Sequence, residues 1–167
     1  MSGYGDDSGF DAWLSANGLA LPVGAPSKDI LRLRGSVYVD GTYGARLGCS
    51  VPTGGIDQER AWPRTGHFAN GEAIGPDVIP VKWVQASYRA AYLVATVKGF
   101  GSATLDPSKR VKRQKVDTIE REFFDGGEAK AGAGGFMAID AEIDGLVAGL
   151  LCPEESGVFA GLWSVGS

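Results

Sequence analysis

The chain carries one histidine, His67, and two cysteines, Cys49 and Cys152, and these set the limits of the chemistry it could do. A histidine working as a general base is normally oriented by a carboxylate and set beside a nucleophile. Asp57, Glu59 and Glu72 lie near His67 in the sequence, but no Gly-x-Ser-x-Gly or similar nucleophile setting accompanies them. His67 therefore reads as an ordinary loop residue, incidental to function. One histidine and two distant cysteines without CxxC spacing do not make a zinc set. A disulfide between Cys49 and Cys152 is possible, and a reduced cytosolic compartment is the favoured reading. No catalytic residue, metal or cofactor is expected.

Two charged or flexible stretches invite other chemistry. "KRVKRQK" (Lys109 to Lys115) suggests nucleic-acid contact. The stretch from Lys109 to Gly127 is β-branched and alternating, and reads as a hairpin over 109–125. A two-residue turn at Asp117-Thr118 sets Lys115 opposite Glu120 and Arg113 opposite Glu122. Such pairs stabilise a hairpin by roughly 0.2–1 kcal/mol each. The basic strand is then largely neutralised by its own partner, and a solvated hairpin is favoured over one that grips DNA or an acidic surface. "GEAKAGAGGF" (Gly127 to Phe136) lacks the GxxxxGK and GxGxxG patterns of phosphate loops and reads as a linker.

The stretch "RAWPRTGHFANGEAIGPDVIP" (Arg60 to Pro80) gathers Trp62, Pro63, Arg64, Gly66 and His67. A residue before proline avoids the helical region, so Trp62-Pro63 is an extended or turn dipeptide. Trp62 is placed to cover an apolar face, and Arg64 to reach carbonyls or a carboxylate. Gly66 and Gly71 supply turns. This is the composition of a packed Ω-type loop rather than of an active site.

Four helices must position these residues. The first runs from Asp6 to Gly18, with Phe10, Trp13 and Leu14 at i, i+3, i+4 spacing and a glycine after its end. The second starts after Ser27, with Ile30, Leu33 and Val37 on one face, and is weakened locally by Gly35 and Gly41. A long loop, 45–78, follows. The third helix, Ile79 to Gly99, has two apolar stripes: Val84, Tyr88, Ala91, Tyr92 and Ala95, and Trp83, Ala86, Ala90, Val94 and Val97. A helix apolar on most sides is central, or shared with a neighbouring subunit. The last, within Phe136 to Pro153, buries Ile139, Ile143, Leu146, Val147 and Leu150 and stops at Pro153. The fold expected is mainly α: a small bundle of about four helices with one protruding β-hairpin and extended termini. Residues 1–152 make one domain and residues 153–167 an arm. Val158, Phe159, Leu162 and Trp163 on that arm either fold back onto the chain's own core or anchor it in a partner.

The 167-residue length suits one domain. Glycine, at 26 residues, is well above the usual ~7% and falls at the termini and between elements. A net charge of −4 and a pI near 5.0 argue against general affinity for DNA or for anionic membranes. The start "MSGYGDDSGF" has neither the basic nor the apolar region of a signal peptide. No apolar run approaches the ~18 residues of a membrane span.

Several runs together carry a resemblance. They are "YVDGTYG", "QERAWPRTG", "NGEAIGPDVIPVKWVQASYRAAY", "QKVDTIEREF" and "IDGLVAGLL". Over roughly Gly9 to Leu151 the chain resembles the head–tail adaptor, or connector, proteins of tailed bacteriophages. Some relatives of that family carry the label DnaT-like single-stranded DNA-binding protein. The resemblance implies a structural virion protein without enzymatic activity. It implies a subunit of a twelvefold homo-oligomeric ring beneath the portal protein, joining it to a stopper or tail-completion protein in the virion neck. Such a protein is made in the host cytoplasm, and double-stranded DNA passes through the ring during ejection without specific binding. In related connectors the terminal arms and the hairpin make the portal and ring contacts. That places portal docking on Val158, Phe159, Leu162 and Trp163. It places inter-subunit contact on Lys112, Arg113, Lys115, Glu120, Glu122 and Phe123. Trp62, Pro63, Arg64 and Gly66 form the structural signature. The glycine-rich start and the longer aromatic tail depart from the typical pattern. An acidic conduit wall would let DNA slide without sticking. A single-stranded DNA-binding protein that stacks bases on aromatic residues is the alternative, and a hydrolase using His67 is the weakest reading.

Overall fold

The computed structural model describes residues 2–101 and 140–153. The hairpin expected at 109–125 and the arm from residue 154 onward lie outside them. The described chain is mainly helical: α1 (Asp7–Ala16), α2 (Lys28–Tyr43), α3 (Val81–Thr96) and α4 (Ala141–Val147).

α1 begins where the Asp6 carboxylate accepts the Gly9 N–H at 2.7 Å, satisfying one donor the helix itself cannot pair. It ends in a Schellman turn. Leu19 N–H reaches the Leu14 carbonyl at 2.9 Å, Gly18 N–H reaches that of Ser15 at 3.1 Å, and Gly18 takes a φ of 64°. Phe10 and Leu14 are buried, with Trp13 half-buried beside them. α4 is capped in the same manner as α1, by Asp140 accepting from Glu142 and Ile143. Ile143, Val147 and Leu150 are buried, Leu146 is half-buried against them, and Ile139 lies outside the described residues.

α3 is the central helix, as its two apolar stripes require. Trp83, Ala86, Ala90 and Leu93 enter one core cluster, while Tyr88 and Ala91 enter another with Phe10, Leu14 and Leu31. α2 packs along it, but through a different face from the one its Ile30, Leu33, Val37 spacing suggests. Leu31, Gly35, Tyr38 and Val39 turn inward, while Ile30 is 45% and Val37 51% exposed. Gly35 decides the matter. A Cβ there would lie 2.3 Å from the Ser87 carbonyl oxygen and 2.6 Å from the Ala91 nitrogen, so this face alone lets the two backbones approach so closely.

The long loop is more structured than its composition suggests. A 3-10 turn (Gly44–Leu47) leads to β1 (Val51–Pro52), which pairs antiparallel with β2 (Arg64–Thr65), aligning Val51 with Thr65 and Pro52 with Arg64. β3 (Phe68–Ala69) and β4 (Glu72–Ala73) form a second two-stranded hairpin. Its turn residues, Asn70 and Gly71, have φ of 52° and 83°, the geometry for which Asn-Gly is the favoured pair.

Candidate functional site

The joint between the loop and α3 is built around Trp62. The Trp62-Pro63 bond is cis, and Trp62 is 1% exposed. Its ring meets Trp83 edge-on at 6.1 Å and His67 at 4.7 Å. Arg64 lies beside it, buried and without a carboxylate. Its Nη2 donates to the carbonyls of Leu47, at 2.9 Å, and Ser50, its Nη1 to that of Ala61 at 3.1 Å, and its Nε to Ser50 Oγ at 2.7 Å. Of the two roles open to Arg64, carbonyls rather than a carboxylate, this is the first. Burial draws the guanidinium pKa below its ordinary value. The charge is retained because four of its five N–H donors meet a carbonyl or hydroxyl oxygen.

Asp40, on α2, gathers the neighbouring pieces. Its carboxylate accepts from the Tyr4 hydroxyl at 2.8 Å, from Trp83 Nε1 at 3.2 Å and from the Ala61 N–H at 3.2 Å, and Arg60 approaches it at 3.4 Å. Burial outweighs these partners and raises the Asp40 pKa. The glycine-rich start is thereby held in place. Tyr4 is 3% exposed, its N–H donates to Ser36 Oγ at 2.8 Å, and Arg32 Nη1 donates to the Tyr4 and Gly5 carbonyls at 3.2 and 2.7 Å.

His67 is fully buried within the packed loop. Its Nε2 lies 2.9 Å from the Leu150 carbonyl oxygen and its Nδ1 2.7 Å from Ser50 Oγ. A carbonyl only accepts, so Nε2 carries the proton and Nδ1 accepts from Ser50. Burial, with Arg64 nearby, lowers the pKa and keeps the ring neutral. The Ser50–His67 contact has the partners of a nucleophile and base. Ser50 is nonetheless 8% exposed and His67 0%, so a substrate carbonyl has no approach to the hydroxyl. The pair ties the loop to the end of α4 instead.

The two cysteines correct the reading of a reduced, unpaired set. Cys49 and Cys152 form a disulfide with their Cα atoms 5.7 Å apart. The fold closes the 103-residue separation because α4 packs across α3 and returns the chain to the turn that follows α2. His67 belongs to the same cluster: its ring and the two sulfurs offer ligand atoms within 4.8 Å of one another. Sequence distance hid this grouping.

The surface divides by character. Lys28, Arg32, Arg60 and Arg89 are paired with Asp11, Asp7, Asp40, and Asp140 and Glu142. The outward stripe of α2 is apolar. It continues into an open groove of about 400 Å³ lined by Leu33, Val37, Tyr38, Val94 and Phe100 together with the exposed Arg34, with Val97 also 47% exposed. Of the residues marked as functional, Trp62, Pro63, Arg64 and Gly66 are brought together in the joint. Lys112, Arg113, Lys115, Glu120, Glu122, Phe123, Val158, Phe159, Leu162 and Trp163 lie outside the described residues. No helix among the described residues is long and apolar enough to cross a membrane.

A family model described as "Putative DnaT-like ssDNA binding protein" matches residues 3–161. No curated protein and no solved structure matches the chain. With nearly its whole length matched, the protein belongs to the DnaT-like ssDNA-binding protein family.

Proposed function

We propose that this chain is a structural subunit of a phage virion neck, a head–tail adaptor. In this reading copies assemble into a ring, twelvefold as in the connectors it resembles, between the portal and a stopper or tail-completion protein. The observation that carries it is the apolar stripe of α2. Ile30 and Val37 stand exposed beside half-buried Leu33, with Arg34 between them, and Leu33 and Val37 open into the groove at Val94 and Phe100. A ring subunit can cover such an apolar strip with a neighbour. The cores beneath are closely packed, which suits a rigid part rather than a catalyst.

The family description favours a second reading, binding of single-stranded DNA. Such binding needs a cationic groove with aromatic platforms. Among the described residues, Lys28, Arg32, Arg60 and Arg89 are engaged by carboxylates and Arg64 is buried on carbonyls, whereas Arg34, Lys82 and Lys98 are in no ion pair. The net charge of −4 weighs toward the adaptor. Native mass measurement of the protein alone and mixed with portal particles, alongside oligonucleotide binding measured over a range of salt, separates the two. A ring-sized increment on the portal is the expected result. Tight oligonucleotide binding with a steep salt slope, and no portal complex, would overturn the adaptor reading.

A further inference from the structure

Cys49, His67 and Cys152 reach one point from three separate parts of the chain: the turn before β1, the turn between β2 and β3, and the segment after α4. Two thiolates and an imidazole are the ligand chemistry of zinc, and three protein ligands leave a fourth position for water. The backbones of Cys152 and His67 are anchored independently of the sulfurs, while the Cys49 N–H donates to Cys152 Sγ at 2.9 Å. Cys152 N–H donates to the Arg46 carbonyl at 2.9 Å, and the His67 carbonyl accepts from Ile74 at 2.8 Å. In the disulfide form Nε2 donates to the Leu150 carbonyl at 2.9 Å, two residues before Cys152, so an ion on Nε2 takes the place of that proton and the carbonyl must give way to it. Nδ1 meets Ser50 Oγ, and that hydroxyl lies 3.3 Å from the Leu47 carbonyl. Ser50 can therefore donate to Leu47 and accept from Nδ1–H, which is the support a metal-bound Nε2 requires. An open cleft of about 360 Å³, lined in part by Cys49, Gly66, Leu151 and Pro153, gives an ion access.

We propose that the reduced protein binds a zinc ion through Sγ of Cys49, Sγ of Cys152 and Nε2 of His67, with water completing the tetrahedron. A dithiol reductant delivers two electrons and two protons to the disulfide, is itself oxidised to a disulfide, and leaves two thiols. The ion then displaces both thiol protons to solvent, while the imidazole proton moves from Nε2 to Nδ1. Zinc with two thiolates carries no net charge, so the site adds no repulsion to the buried guanidinium of Arg64. The segment after α4 thus has two alternative tethers to the turn before β1: a sulfur–sulfur bond under oxidising conditions, zinc under reducing ones.

The test uses the full-length chain, reduced with dithiothreitol, desalted without oxygen and titrated with zinc against a chromophoric chelator. Cobalt is titrated in parallel. The expected result is about one zinc per chain, with thiolate-to-cobalt charge-transfer and tetrahedral ligand-field bands. The oxidised protein should bind none. Cys49→Ser, at an exposed position that tolerates the change, should bind zinc more than roughly 100-fold more weakly, and Ser50→Ala roughly 10-fold. Reduced wild type that binds no more zinc than Cys49→Ser would overturn the site. A folded His67→Asn variant with wild-type affinity and cobalt spectrum would remove the imidazole from it.

Discussion

The Tyr4 hydroxyl donates to Asp40 Oδ1 at 2.8 Å and at the same time accepts the Trp62 N–H at 3.1 Å. One side chain from the extended start therefore joins α2 to the loop that packs against α3. Tyr4→Phe keeps the ring and its burial but leaves the Trp62 N–H without an acceptor and Asp40 with one donor fewer. An unpaired buried group costs about 1–3 kcal/mol. Denaturant unfolding should show a lower midpoint with an unchanged slope. An unchanged midpoint would mean that this contact does not hold the start in place.

Asp40 should also leave a signature in the pH dependence of stability. Its folded pKa is raised, chiefly by burial, above the unfolded value of about 3.9. Between those two values the unfolded chain releases its proton first. Asp40 therefore contributes stability that is fully present below the unfolded pKa and is lost as pH rises through the folded one. Asp40→Asn removes that term. Plotted against pH, the wild-type stability minus that of Asp40→Asn should fall from about pH 4 into the weakly acidic range. A flat difference would show that its partners offset the cost of burial.

Much of this fold could be read from residue spacing, because α1, α3 and α4 each hide one continuous apolar surface and carry their own end signals. Three features could not. The inward face of α2 was concealed because Gly35, with no side chain, marks the place of closest approach, while Ile30, Leu33 and Val37 make a second apolar row on the outer side. The β3–β4 hairpin had a signal, the Asn70-Gly71 pair, but its strands are too short to alternate. The grouping of Cys49, His67 and Cys152 depends on α4 crossing α3, which no local pattern encodes. The packed joint was legible because Trp-Pro followed by Arg has few uses other than filling and satisfying a buried corner.

The two glycines of α2 should respond in opposite directions. Helix propensity alone favours alanine over glycine by about 1 kcal/mol. At Gly41 nothing lies within 4 Å of a built Cβ, so Gly41→Ala should stabilise by up to about that amount. At Gly35 the new methyl meets the backbone of Ser87 and Ala91 and must push α2 away from α3. Gly35→Ala should cost about 1–3 kcal/mol despite the better propensity. Melting temperatures of the two variants check this directly, and a stabilised Gly35→Ala would show that the helices are not so closely set.

Val37 tests whether the outer stripe of α2 is an interface. It is 51% exposed, at the rim of the groove shared with Val94 of α3, so Val37→Asp should leave the stability of the single subunit within about 0.5 kcal/mol of wild type. In an assembled ring the same carboxylate would be buried against a neighbour, and such burial is disfavoured even with Arg34 one turn away on the same helix. Sedimentation velocity on portal mixtures should then show the variant folded but unattached, or attached in incomplete rings. Leu33→Asp is the less clean test, since Leu33 is half-buried and its loss would disturb the subunit as well. Complete rings formed by Val37→Asp would move the interface off this stripe and onto another surface of the subunit.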